Sequence, residues 1–306
     1  MRRRPHAAVA GALGTTLVLW ITGCGQSRPA SGRIPEFDEN RAFAHLTRQV
    51  DMGYRVPGAP GHRRTLEYLR ETLERHADSV YVQPFSVTNA DTIMYMSNII
   101  GYFKGGSSET LLLGAHWDTR LWADEDPNPA SRRTPIAGAN DGASGVAVLL
   151  ELARILGETQ PPRNIEIVFF DGEDQGDICD LSWCMGSAFY ARRLKTNRPD
   201  RAIVVDMIGD RDLEIWVEAN SEKYAYGMVR KVWSAAEDLE VSQFRRKTKY
   251  TMYDDHVPLI EKGIPAIVII DFDYPHWHTL EDTPDKCSPQ SLGAVGRVLT
   301  AVVYGT

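Results

Sequence analysis

The chain has 306 residues, a formal net charge of −7, 43% hydrophobic residues and 25% charged ones. That length suits one large α/β domain or two small ones, and the globular composition excludes a polytopic membrane protein, a collagen-like chain and a wholly disordered one. The acidic balance argues against a nucleic-acid partner, which needs a basic footprint.

The N-terminus reads as an address. Arg2, Arg3 and Arg4 precede an uncharged, mostly apolar stretch from Ala7 to Leu19, and then Ile21-Thr22-Gly23-Cys24. A charged start, an apolar middle and small residues before a cut site describe a secretory signal over 1–23. The tetrapeptide resembles a bacterial lipobox, which implies cleavage before Cys24 and acylation of its thiol. The apolar run is short against the roughly 20 residues of a spanning helix. We therefore expect a protein of the bacterial cell envelope, lipid-anchored on the periplasmic side or in the outer membrane, touching the membrane only through Cys24. Residues 24–40, rich in Pro, Ser and Gly, read as a flexible tether, and 41–306 as one catalytic domain. Three further cysteines remain, Cys179, Cys184 and Cys287. A Cys179–Cys184 disulfide is open, and so is a reading of all three as small buried residues.

Apolar, β-branched runs predict strands at Asn98–Phe103, Thr110–Ala115, Asn164–Phe170, Ala202–Ile208, Leu213–Ala219 and Ile264–Phe272. Helical spacing groups Leu66, Leu69 and Leu73, then Val146, Leu149, Leu150, Ala153 and Leu156, then Leu292, Val295, Leu299 and Val302. Helices alternating with apolar strands imply a single-domain, three-layer α/β/α fold around a mostly parallel mixed sheet. The one basic cluster, Arg245-Arg246-Lys247 with Lys249, reads as a solvated loop or helix end.

The unusual polar residues fall where these strands end. His116 and Asp118 follow one run, Asp171, Glu173 and Asp174 a second, Asp206 lies late in a third, and His276 and His278 follow a fourth. Ligand sites of open α/β sheets collect at the carboxyl ends of strands, so four such clusters converge on one rim. Asp118 stands two residues beyond His116, where it suits the carboxylate that fixes a ligating ring. Asp141 lies among three glycines and small residues directly before a helix. It could be that helix's N-cap, but the tight neighbourhood favours a carboxylate held against a cation. Glu173 and Asp174 are adjacent acids, which need a cation, a proton or open water. Asp206 is an acid inside an apolar strand, and acids are rarely buried unpaired. Asp254-Asp255-His256 precedes a helix. Trp277-His278 sets an apolar wall beside a nitrogen ligand. Carboxylate and imidazole donors without a CxxC pair describe a catalytic zinc site better than a structural one.

The order His116-x-Asp118, Asn140-Asp141-Gly142, Glu173-Asp174, Asp206 and His278 resembles the zinc-dependent exopeptidases with a co-catalytic metal pair. Within them, Phe169-Phe170-Asp171-Gly172-Glu173-Asp174, Ser182-Trp183-Cys184-Met185-Gly186-Ser187, Asp254-Asp255-His256 and Trp277-His278-Thr279 resemble the glutaminyl-peptide cyclotransferases, particularly bacterial relatives of the animal enzymes. The resemblance runs from about His45 to the C-terminus. It implies one catalytic Zn2+ per chain on Asp141, Asp174 and His278, with Glu173 as general acid/base. It also implies Asp206 and Asp254 as a hydrogen-bonded acid pair beside the substrate amine, and Trp183 and Trp277 as pocket walls. His116 and Asp118 remain candidates for a second metal or for orienting roles. Two departures stand out: Asp174 where the animal enzymes carry Glu, and no cysteine near His116 for the animal disulfide.

The implied reaction converts the N-terminal glutamine of peptides or proteins to pyroglutamate with release of ammonia, by a monomeric transferase. A di-zinc aminopeptidase of the same fold, in which His116, Asp141 and Asp206 complete a second metal site, stays open. A lipid-anchored binding protein on an inactive enzyme scaffold would bind without turnover.

Overall fold

A computed structural model describes residues 34–305, apart from 90–91 and 196–197. The signal segment, Cys24 and most of the tether lie outside the described residues. Elements run in the order α1 (Glu39–Asp51), α2 (Pro60–Glu74), β1 (Ser79–Asn89), β2 (Thr92–Phe103), β3 (Thr110–His116), α3 (Ala143–Glu158), β4 (Asn164–Phe170), α4 (Met185–Arg193), β5 (Arg201–Asp206), β6 (Ile215–Glu218), α5 (Ala219–Asp238), β7 (Phe244–Tyr250), α6 (His256–Glu261), β8 (Ala266–Ile270) and α7 (Pro289–Tyr304).

The main sheet has the order β1-β2-β4-β3-β5-β8. Its β4-β3-β5-β8 half is parallel, and β1-β2 is an antiparallel hairpin added at one edge, so the sheet is mostly parallel and mixed, as expected. Alternate residues of these strands feed two apolar layers. Leu111, Leu113, Ile167, Ile203 and Ile267 pack with residues of α1, α2, α3, α5 and α7. Leu112, Val168, Val204 and Val268 face α4 and α6. Both faces are covered, which is why the parallel strands read as unbroken apolar runs.

Several expectations need correction. The packed chain starts before residue 41, because Phe37 is buried and Asp38 caps α1 by accepting from the amides of Asn40 and Arg41. Predicted strand Ala202–Ile208 starts one residue earlier and stops at Asp206, Leu213–Ala219 shortens to Ile215–Glu218 because Ala219 opens α5, and Ile264–Phe272 shortens to Ala266–Ile270. The hairpin partner β1 is an addition, since its polar alternation lacks an apolar run. The basic cluster is neither loop nor helix end: Arg245 to Lys249 form most of β7, which pairs in parallel with β6 in a separate two-stranded sheet. Its side chains face solvent and pair with acids, Arg245 with Glu214 at 2.8 Å and Arg246 with Glu237.

Candidate metal centre and cavity

The parallel register aligns the strand ends that carry the polar residues. His116 closes β3 opposite Phe170 of β4, and Asp206 closes β5 opposite Ile270 of β8. Asp141 lies two residues before α3, and Glu173 and Asp174 lie in the turn after β4. His278 arrives on the loop after β8, with its backbone in the left-handed region at φ 54°.

Donor atoms of Asp141, Asp174 and His278 lie within 4.8 Å of one another, all three residues buried. His278 Nε2 stands 3.0 Å from Asp174 Oδ1 and 3.7 Å from Asp141 Oδ2. A second cluster, His116, Asp141 and Asp206, meets the same distance and shares Asp141. His116 Nε2 is 3.1 Å from Asp141 Oδ1 and 3.0 Å from Asp206 Oδ1.

Loop anchoring explains how the acids are held. Asp118 accepts hydrogen bonds from the amides of Glu173 (3.0 Å) and Asp174 (3.3 Å) and from Gln175 Nε2 (2.9 Å). It therefore fixes the β4 turn as well as standing 3.6 Å from His116 Nδ1. Asp282 accepts from the amides of Asn140 and Asp141 and from the Tyr274 hydroxyl. Buried Arg55 donates to the carbonyls of Trp117, Ala137 and Gly138, tying the β3 exit to the loop before α3. Gly142 is required by contact: a Cβ there would meet His116 Nε2 at 2.2 Å.

A cavity of about 240 Å³ opens over these groups. Asp141, Asp174 and His278 line it together with Glu173, Asp206, Asp254, Trp183 and Trp277, while Met207, Met252, Tyr253, Ile270 and Phe272 form its apolar remainder. The Trp277 indole stacks on the His278 imidazole at 3.7 Å, and Trp183 runs nearly parallel to that ring at 6.0 Å. Burial pushes the Asp174 carboxyl up to about 6, with the Asp141 charge adding to it. Burial also pushes Glu173 well above the usual range, helped by the charges of Asp255 and Asp174 and opposed by His116. Asp254 rises to about 7 through burial and the Asp206 charge. Asp174 Oδ2 is buried without a hydrogen-bond partner. Crowded buried carboxylates, an acceptor with nothing to accept from and imidazole nitrogens at ligand distance fit a divalent cation, whose charge relieves the repulsion.

The structure redistributes some predicted roles. Asp206 hydrogen-bonds His116, and Asp254 Oδ2 makes no hydrogen bond, while the Asp206 charge acts on the Asp254 carboxyl across the cavity wall. Asp171 turns away from the cavity to His62 at 2.9 Å. His276 lies outside the cavity beside Tyr274. Cys184 does not pair with Cys179: it is buried, and its Sγ donates to Glu173 Oε1 at 3.3 Å. Cys287 is buried as well, whereas Cys179 is exposed.

Sequence reasoning missed Arg55, Arg120, Asp124, Asp282 and Glu218. Asp124 Oδ1 stands 3.3 Å from His278 Nδ1, the ring nitrogen opposite the cluster. Glu218, at the end of β6, accepts from the amides of Asn220 (2.8 Å), Ser221 (2.6 Å) and Met252 (3.3 Å) and pairs with His256 Nε2 at 3.1 Å. It thereby holds the segment that carries Tyr253 and Asp254. Only Asp282, in Leu280-Glu281-Asp282 after His278, lay beside a motif that could have flagged it.

An α/β/α layer structure with buried carboxylates and imidazoles at the carboxyl rim of a parallel sheet defines a metallohydrolase-like class of enzyme fold. Residues 98–303 match the model of peptidase family M28, and the chain belongs to that family. It is similar to a crystal structure described as a Zn-dependent exopeptidase from Parabacteroides distasonis, at 36% identity over 90% of this chain and 100% of that one, TM-score 0.86. It is equally similar to a glutaminyl cyclase from Bacteroides thetaiotaomicron bound to N-acetylhistamine, at 35% identity over 90% of this chain and 100% of that one, TM-score 0.86. Among curated proteins, the glutaminyl-peptide cyclotransferase of the snake Boiga irregularis is 23% identical over 81% of this chain and 76% of its own length.

Proposed function

We propose that the chain is a zinc-dependent glutaminyl-peptide cyclotransferase, which turns an N-terminal glutamine of peptides or proteins into pyroglutamate and releases ammonia. The observation that carries this reading is that Glu173, the Asp141–Asp174–His278 cluster and both tryptophans line one cavity. Its likeness to the bacterial cyclase supports it.

One Zn2+ on Asp141, Asp174 and His278 would supply Lewis-acid stabilisation of the charge that develops on the side-chain amide oxygen. The residues of the chain do the rest. Trp277 and Trp183 hold the glutamine side chain folded toward its own α-amine, an entropic gain for ring closure. The α-nitrogen forms a bond to the amide carbon, and the bond from that carbon to the side-chain nitrogen breaks. Glu173 takes a proton from the attacking amine and returns one to the departing nitrogen, which leaves as ammonia. Its carboxyl, raised by burial, suits a group that must accept and then donate. Asp206 and Asp254, at the cavity wall, present acceptors to the substrate amine. Ammonia release from a peptide beginning with Gln, lost on chelation and restored by zinc, tests this reading; activity that survives complete metal removal refutes it.

The shared carboxylate favours a second reading, a di-zinc aminopeptidase, because His116, Asp141 and Asp206 form a further donor cluster. Two metals per chain with release of a free amino acid would select it. We carry the N-terminal reading as a proposal too: Cys24 is acylated and anchors the enzyme in the envelope. A Cys24→Ala chain that still incorporates labelled fatty acid would refute that.

A further inference from the structure

Arg120 lies four residues beyond the end of β3 and is 2% exposed. Its guanidinium contacts the site in three directions. Nε and Nη2 donate to the two carboxylate oxygens of Asp124 at 2.7 and 2.6 Å, a bidentate fork. Nη1 donates to the carbonyls of Asp174 (3.0 Å) and Gly176 (3.1 Å) and stands 3.6 Å from Asp174 Oδ1. The face of the guanidinium lies over the Trp183 ring, 4.7 Å from its centroid. Asp124 in turn faces His278 Nδ1 at 3.3 Å.

Asp174 and His278 come from different loops, one after β4 and one after β8, and no strand pairing sets the distance between them. The Arg120–Asp124 pair spans that gap, reaching Asp174 through its backbone and carboxylate and His278 through the ring nitrogen that points away from the cluster. We propose that Arg120 is a positioning residue, a brace that fixes Asp174, His278 and the Trp183 wall relative to one another and so sets the affinity of the centre for its metal.

The geometry requires a planar fork. Lysine keeps the charge but cannot hold both oxygens of Asp124 and two carbonyls at once. Residues that orient metal ligands typically change metal affinity by about 10- to 100-fold when removed.

The inference rests on the metal site proposed above, yet it is read with zinc alone, so it can fail while ammonia release persists, and the reverse. Full-length Arg120→Met, Arg120→Lys and Asp124→Asn chains are titrated with zinc against a chromophoric chelator, and the visible spectra of their cobalt(II) forms are compared. Arg120→Met is expected to bind zinc about 10- to 100-fold more weakly. Asp124→Asn, which removes the charge facing His278 Nδ1 and one of the two oxygens in the fork, is expected to lose about tenfold, with an altered cobalt spectrum. Combining Arg120→Met with Asp124→Asn should weaken binding little beyond Arg120→Met alone, because both act through one relay. On turnover, loss of the Trp183 support in Arg120→Met should raise KM, a change that Asp124→Asn should not share. Zinc affinity within twofold of the parent and an unchanged cobalt spectrum, even with a lower Tm, would reduce Arg120 to a packing role. Full rescue by Arg120→Lys would overturn the fork in favour of charge alone. Should Arg120→Met fail to fold, the zinc affinity and cobalt spectrum of Asp124→Asn, changed at a half-buried position, decide between brace and packing.

Discussion

Replacing Glu218 by Gln removes a charge that four partners share. Burial favours the neutral acid, but His256 and the amides of Asn220 and Ser221 outweigh it and bring the carboxyl from 4.5 down to about 2. A shift of that size corresponds to about 3 kcal/mol of preference for the ionised form in the folded chain. Because the folded value is depressed, this stability is fully present above the unfolded value of 4.5 and is lost as pH falls through about 2. Glu218→Gln should therefore destabilise the protein by about 3 kcal/mol at pH 7, and the gap to the parent should shrink by roughly 2 kcal/mol by pH 3. Urea unfolding of both chains at pH 7, 5, 4 and 3 measures it. A gap that stays constant across this range, or one below about 0.5 kcal/mol at pH 7, would refute the reasoning. The same substitution loosens Met252 and the segment bearing Asp254, so kcat/KM should fall even where the protein is fully folded.

Other consequences are as specific. Glu173→Gln should lower kcat by about 10²- to 10⁴-fold while zinc content, measured by atomic absorption, stays at the parent level. Gly142→Ala drives a methyl group into the enclosed His116 ring, and the overpacking should cost about 1–3 kcal/mol in urea unfolding with a matching loss of activity. Zinc added to chelated protein at about 100 times its Kd should stabilise the fold by roughly 2.7 kcal/mol, visible as a rise in Tm, and a Tm indifferent to zinc would argue against the cluster.

The parallel strands and three of the helices were legible in the sequence because both faces of the sheet are covered, which leaves apolar runs that nothing else explains. The edges were not. β1 alternates polar and apolar residues as a half-exposed hairpin strand does, and β7 is built from arginine and lysine, which suit a solvent-facing edge and resemble a loop on paper. In the site, Asp206 and Glu173-Asp174 announced themselves because acids next to apolar strands need a reason. Arg120, Arg55 and Asp282 did not, since each looks like an ordinary surface residue until the fold brings distant loops together.

Every group that touches the cavity sits at one rim of the parallel strands, and the opposite rim is closed by unrelated contacts. There Asp200 accepts from the Thr110 amide, Asn164 from Gly105, and Glu109 pairs with Arg163 and Arg201. The sheet thus separates two evolutionary ledgers. Substitutions at the far rim can harden or soften the scaffold without reaching the reacting atoms, while loops at the near rim can drift toward new substrates on an unaltered frame.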